Sequence, residues 1–153
     1  MVKIYLAARY SRIDEINLYS KQLQQIGYEV HARWLLGNHK MKDGYSNLKQ
    51  NKGFAKDDLE DIINSDIVIC FTDEPYHQPS RGGRHVEFGM VLMWNYLHKQ
   101  CKEMNRVKTI YIVGPRENVF YCLPQIDRRF AKWDDCCRYL SSEKVYNNSI
   151  NDS

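Results

Sequence analysis

The chain has no apolar run that approaches the ~20 residues a membrane-spanning helix needs, so no such helix is expected. Its first residues, Met1-Val2-Lys3-Ile4-Tyr5, lack the charged start, apolar core and cleavage pattern of a secretory signal. Strong charge is missing too. A net charge of +3 gives no argument for a nucleic-acid polymer as partner. The five cysteines, Cys70, Cys101, Cys122, Cys136 and Cys137, are odd in number and match neither zinc nor redox spacing. They imply no metal, cofactor or disulfide framework, and Cys70 and Cys101, in apolar surroundings, are expected as buried thiols. A reduced, cytoplasmic setting follows as the expectation. No internal repeat and no second domain interrupt the pattern.

What is present fits one compact domain. At 153 residues the chain can bury roughly two-thirds of its unfolded surface. The apolar share of 43% and charged share of 27% are those of ordinary globular proteins. Tyrosine is frequent at 11, which supplies polar-tipped contacts for a pocket or interface. The domain is expected over residues 1–146, with 147–153 as a polar, loose tail.

Lys3 to Ala8 is a short apolar run suited to a buried strand. Ser11 is a plausible N-cap for a helix from Arg12 to about Gln25, stopped by Gly27. Tyr28 to Ala32 alternates as a second strand, and Arg33 to Gly53 is a long polar connection of the kind that tends to carry function. Phe54 to Asn64 reads as a helix with Leu59, Ile62 and Ile63 inward. Asp66 to Phe71 is the clearest strand, and Thr72 to Ser80, with two prolines, is loop. A long helix from Gly83 to about Lys102 has Val86, Met90, Met93, Trp94 and Leu97 on one face and Phe88, Val91 and Leu92 on others, so it is expected to be largely buried. Lys108 to Val113 is a fourth strand, Val119 to Tyr121 a short fifth, and Phe130 to Leu140 a last helix. Strands alternating with helices predict a flavodoxin- or Rossmann-like open parallel sheet of four to five strands.

The stretch Pro79-Ser80-Arg81-Gly82-Gly83-Arg84-His85-Val86-Glu87-Phe88-Gly89 stands apart. Paired glycines allow close approach of a ligand, and a helix start offers unpaired N–H groups to an anion. Two arginines flank the glycines and one carboxylate follows. In open parallel sheets, ligands bind beyond the carboxyl ends of the strands. That rule gathers Tyr5, Arg9, Ser11, Trp34 and Glu87 onto one edge. Taken singly, each has a plainer reading: Glu87 as a carboxylate at a helix start, Tyr5 as core, Ser11 as a cap, Trp34 as packing, and Asp58 as part of a solvated acidic face with Asp57, Glu60 and Asp61.

Three motifs in this order resemble the nucleoside 2-deoxyribosyltransferase family and the related deoxynucleotide N-glycosidases. They are Ile4-Tyr5-Leu6-Ala7-Ala8; Asp58-Leu59-Glu60-Asp61-Ile62 with Ser65-Asp66-Ile67; and Gly83-Arg84-His85-Val86-Glu87-Phe88-Gly89. The resemblance implies that Glu87 attacks the sugar, that Tyr5 orients it, and that Asp58 serves the base as acid or hydrogen-bonding partner. A position on the helix dipole is expected to keep Glu87 ionised. Ala7, Gly83, Arg84, Arg9, Ser11 and Trp34 are implied as further substrate contacts.

Where the transferases carry an aspartate for the sugar 5′-hydroxyl, and the nucleotide-cleaving relatives a serine, this chain has Arg81. A guanidinium pairs with phosphate, so a nucleoside 5′-monophosphate is the expected substrate. Asn118 aligns with the family's asparagine that reaches a neighbouring subunit's site, which implies a homodimer or larger homo-oligomer with shared sites. Two other readings stay open: a phosphoribohydrolase or NAD-cleaving glycosidase on a similar fold, and a nucleotide-binding sensor without catalysis.

Overall fold

The computed structural model describes residues 1–75 and 80–151. Pro79 and the last two residues of the expected tail lie outside them. Five parallel strands form one sheet: β1 (Lys3–Ala7), β2 (Glu29–Val30), β3 (Ile67–Phe71), β4 (Thr109–Val113) and β5 (Arg128–Phe130), in the order β2-β1-β3-β4-β5. Four helices flank it: α1 (Ile13–Gln25), α2 (Leu48–Ile63), α3 (Gly83–Gln100) and α4 (Trp133–Asn151). Apart from Lys3 and Thr109 at their starts, the three middle strands are runs of apolar and tyrosine residues, as expected of strands covered on both faces, and Ile4, Leu6, Val68, Ile69, Ile110 and Ile112 are fully buried. The strand order reverses between β1 and β3, where Tyr5 pairs with Val68 and Ala7 with Cys70. Chains of this topology open a ligand crevice at that reversal.

Local chemistry explains the element ends. α1 turns Ile16, Ser20 and Leu23 inward and stops at Gly27, whose φ of 93° no β-carbon residue adopts cheaply. Gly27 N–H bonds Gln24 O and Tyr28 N–H bonds Leu23 O, the paired bonds that close a helix through a left-handed residue.

Several expectations are corrected. Ser11 is not an N-cap: Tyr10–Arg12 is a 3-10 turn and α1 starts at Ile13 with no side-chain cap. α2 starts at Leu48, not Phe54, because Gly53 sits inside the helix at a cost of only ~1 kcal/mol relative to alanine. Within it, Ile62 is buried but Leu59 and Ile63 are exposed. Val119 to Tyr121 belongs to a 3-10 turn, Val119–Cys122, and the fifth strand is Arg128–Phe130 instead. α4 continues through Asn147 to Asn151, so that part of the expected tail is helical. Cys70 is buried, whereas Cys101 is exposed just past the end of α3.

The largest correction concerns α3. It buries Arg84, Phe88, Val91, Leu92 and Asn95 against the sheet, a single stripe of helical spacing. Val86, Met90, Met93, Tyr96 and Leu97, on the other side, are exposed. Apolar residues on both sides of a helix do not reveal which side meets the sheet.

The crossing from β4 toward the site is tight. Gly114 has φ 119°, and a β-carbon there would stand 2.5 Å from Thr72 Oγ1 and 2.9 Å from Thr72 O. Gly114→Ala is expected to destabilise the protein by roughly 2–4 kcal/mol, from strained backbone plus overpacking. A urea midpoint unchanged from wild type would contradict this close approach.

Candidate active site

Beyond the carboxyl ends of β1 and β3 lies a cavity of about 380 Å³, in the size range of small-ligand sites. Tyr5 is fully buried in β1 and does not line it, whereas Glu87 lines it from α3. The Tyr5 hydroxyl donates to Glu87 Oε1 at 3.0 Å. Asp58, from α2, lines the same cavity with Glu87. Two carboxylates therefore line one cavity, with a phenol hydrogen-bonded to one of them.

Their surroundings set their protonation. Burial pushes the Glu87 carboxyl up to about 8; the nearby Asp58 charge adds to this, and the Tyr5 hydrogen bond opposes it. Glu87 is the fifth residue of α3, past its first turn, so the helix dipole does not hold it ionised as expected. Burial likewise raises Asp58 to about 6, while His39 pulls it back down. Asp58 Oδ1 is buried without a hydrogen-bond partner among the described residues. The Tyr5 phenol is itself driven well above its ordinary value, first by burial and then by Glu87, so it stays a donor.

The acidic face around Asp58 is not simply solvated. Arg33 forks across it, bonding Asp61 at 2.9 Å, Asp57 at 3.0 Å and Glu60 at 3.1 Å. Its neighbours are thus tied down, and Asp58 is left to the cavity. His39 was not foreseen. Its side chain is almost fully buried, packs at a tilt against the Phe54 ring and contacts Asp57 Oδ2 at 3.1 Å, and it lines the cavity with Asp58. Nothing in the polar stretch around it marks it as a site residue; only the packing of that stretch onto α2 does.

The expected substrate contacts divide into groups. Arg9, Ser11, Trp34, Arg81, Gly83 and Arg84 all line the cavity. Ala7 does not: it is fully buried in β1, and Ala8 takes the lining position. Trp34 packs beneath the site, its Nε1 donating to Leu6 O at 2.8 Å. Arg84 is buried between Asp73, at 3.1 Å, and Glu117, so its charge is already matched by protein carboxylates. Arg9 lies 3.5 Å from Asp73. Arg81 is exposed and holds both oxygens of Asp43, each at 3.0 Å. Asn118 is absent from this cavity. It accepts from Phe120 N and borders a separate apolar groove along α3 with Val86, Met93 and Phe120.

Among the described residues no group of three or more His, Cys, Asp or Glu side chains is placed to hold a metal ion, and no helix is long and apolar enough to cross a membrane.

The raised Glu87 value has a consequence for stability. Between about 4.5 and 8 the folded protein keeps a proton that the unfolded chain has lost, so stability falls as pH rises through that window. Glu87→Gln mimics the neutral form. It is expected to match wild type at pH 4.5 and to exceed it by roughly 2–4 kcal/mol at pH 9. Urea unfolding at the two pH values measures this, and equal stability at pH 9 would exclude a raised Glu87.

No family model matches the sequence, and no curated protein matches it. Solved structures do. The chain is similar to a 2-deoxyribosyltransferase of Bacillus psychrosaccharolyticus, with 18% identity, TM-score 0.62, and 88% of this chain aligned with 90% of that one. It is similar to a conserved protein of Enterococcus faecalis V583, with 14% identity, TM-score 0.64, and coverage of 94% and 99%. A CMP N-glycosidase of Clostridium botulinum aligns at 18% identity and TM-score 0.54, over 90% and 97%. The protein thus has, along nearly its whole length, the α/β fold on which a deoxyribosyltransferase and a nucleotide N-glycosidase are built.

Proposed function

We propose that this protein is an enzyme of the nucleoside 2-deoxyribosyltransferase family that cleaves the N-glycosidic bond of a (deoxy)nucleoside 5′-monophosphate. The observation that carries the reading is the Tyr5–Glu87 hydrogen bond beside a cavity that Glu87 and Asp58 both line. The likeness to a deoxyribosyltransferase and a CMP N-glycosidase supports it.

In the first step the ionised Glu87 carboxylate bonds to the anomeric carbon as the bond from that carbon to the base nitrogen breaks. Asp58, protonated, gives its proton to the departing base. An oxocarbenium-like state between them is stabilised by the carboxylate. Tyr5 holds Glu87 in line, because a buried carboxylate with a fixed donor loses one rotational choice. In the second step water, or a second base, attacks the same carbon; Asp58 accepts its proton, and Glu87 leaves. Trp34, Tyr10 and Met41 line the cavity around these events.

The protonation states fit this division only in a window. With Glu87 near 8 and Asp58 near 6, the pair carries one proton between those values, held mainly by Glu87. The reactive arrangement, with the proton on Asp58 and Glu87 ionised, is the minor form of that singly protonated pair. Below about 6 both are protonated and Glu87 cannot attack. Above about 8 both are ionised and no acid remains for the base. A bell-shaped kcat/KM with limbs near 6 and 8 is therefore expected.

Incubation with a panel of nucleosides and their 5′-monophosphates, with and without an acceptor base, tests the reading by chromatography. Base release is expected, favouring the monophosphates, and Glu87→Ala should lower it by about 10³-fold or more. Asp58→Asn should lower it by about 10²–10⁴-fold and remove the alkaline limb. Release from nucleosides alone would overturn the nucleotide substrate. Full activity in Glu87→Ala would overturn the mechanism, and tight binding without any release would favour the sensor reading.

The exposed stripe of α3 supports the homo-oligomer. Val86, Met93, Tyr96, Val119 and Phe120 are each more than half exposed and lie together, an apolar area that a second copy would cover. Asn118 lines the groove beside it. Light scattering should give a dimer or larger assembly, and Met93→Glu with Phe120→Glu should give monomer. A wild-type monomer with full activity would rule out a shared site.

A further inference from the structure

The segment from Gly37 to Asn47 borders the cavity as a strap. His39, Lys40 and Met41 line the cavity from it. Its far end is anchored to the first turns of α2. Asn51 Nδ2 donates to Lys42 O at 2.7 Å while Lys42 N donates to Asn51 Oδ1 at 3.1 Å, and Asn47 Nδ2 donates to Asp43 O at 2.6 Å. Gly44, with φ 99°, turns the chain directly after Asp43. Those bonds hold the backbone of Asp43, and its side chain pairs with Arg81, a residue of the cavity lining, oxygen for nitrogen, at 3.0 Å twice.

That fork-to-fork geometry is the one a guanidinium offers to phosphate. The other arginines of the cavity wall stand with buried Asp73 and with Glu117. Arg81 differs because its partner is exposed: Arg81 retains 64% and Asp43 79% of their side-chain surface. An exposed ion pair is weak, because water and salt compete for both members. A dianionic phosphate presents twice the charge of a carboxylate and the same two-oxygen geometry.

We propose that Asp43 is a specificity-determining residue: its carboxylate occupies the Arg81 fork in the free protein and is displaced from it by the 5′-phosphate of the substrate. The strap is thereby tied to the wall when the site is empty and released from that tie when a nucleotide binds. A nucleoside without phosphate leaves the Asp43–Arg81 pair in place. The inference rests on the nucleotide reading above, and it adds that the chain carries its own competitor for the phosphate.

Equilibrium binding of dCMP and deoxycytidine to the Glu87→Gln protein, which lacks the nucleophile, tests this by calorimetry without dependence on turnover. The quantity read is the ratio of the two dissociation constants. Asp43→Asn, at an exposed position that folding does not rely on, should tighten dCMP by roughly two- to five-fold and leave deoxycytidine unchanged, and the gain should shrink in 0.5 M salt. In an Arg81→Met background the dCMP preference should fall sharply, and Asp43→Asn should then add less than it does beside Arg81. A clear dCMP preference that Asp43→Asn leaves unchanged or weakens would overturn the role of Asp43 while the nucleotide reading stands. The same holds if Asp43→Asn gives an equal gain with and without Arg81, which is simple charge repulsion. Equal binding of dCMP and deoxycytidine to the otherwise wild-type pocket would overturn the nucleotide reading itself, and the proposal with it.

Discussion

A hydrogen bond between two residues 82 positions apart, from the Tyr5 hydroxyl to Glu87, joins the first strand to the helix that follows the third. It forms because β1 and β3 are neighbours at the reversal of strand order, so β1 and the helix after β3 meet above the same sheet edge. A carboxylate carried into that crevice loses much of its water, and its acidity falls in consequence. The phenol partly restores the ionised form. The chemistry proposed for the site depends on that balance: enough burial to exclude solvent, and enough hydrogen bonding to keep the carboxylate usable.

Around this pair the protein spends its arginines mostly on its own acids. Arg33 satisfies three carboxylates of α2, Arg12 bonds Glu15 and Asp73, and Arg84 is buried against Asp73 and Glu117. Buried charges need such partners, since desolvation without them costs several kcal/mol per ion. Asp73 N also donates to Glu117, so the loops after β3 and β4 are held to each other and to the start of α3. The position of Glu87, one turn beyond Arg84, is thereby linked to the loop that carries Asn118. This network frames the cavity, and Arg81 at its rim keeps a partner that water can reach.

The fold was legible because its signals are local. Five-residue apolar runs, glycines at helix ends and alternation of strands with helices identify a parallel α/β sheet without any knowledge of contacts. The errors were also local in origin. Gly53 looked like a boundary but was absorbed by a helix long enough to tolerate it. Val119 to Tyr121 has strand-like residues but closes a 3-10 turn, and the α3 sequence is apolar on two sides, only one of which meets the sheet.

The sequence by itself determined the fold class, and through the family resemblance it marked Tyr5, Asp58 and Glu87 as candidate site residues and Arg81 as the residue standing where that family carries an aspartate or a serine. These depend on residue type and order, which the chain displays directly. Tertiary structure alone decided that Glu87 is held partly protonated, that His39 joins Asp58 in the cavity, that Arg84 is consumed by Asp73 and Glu117, and that Asp43 occupies Arg81. Each of these is a matter of which groups lose water together and which charges meet across dozens of residues, and neither quantity is written in local order.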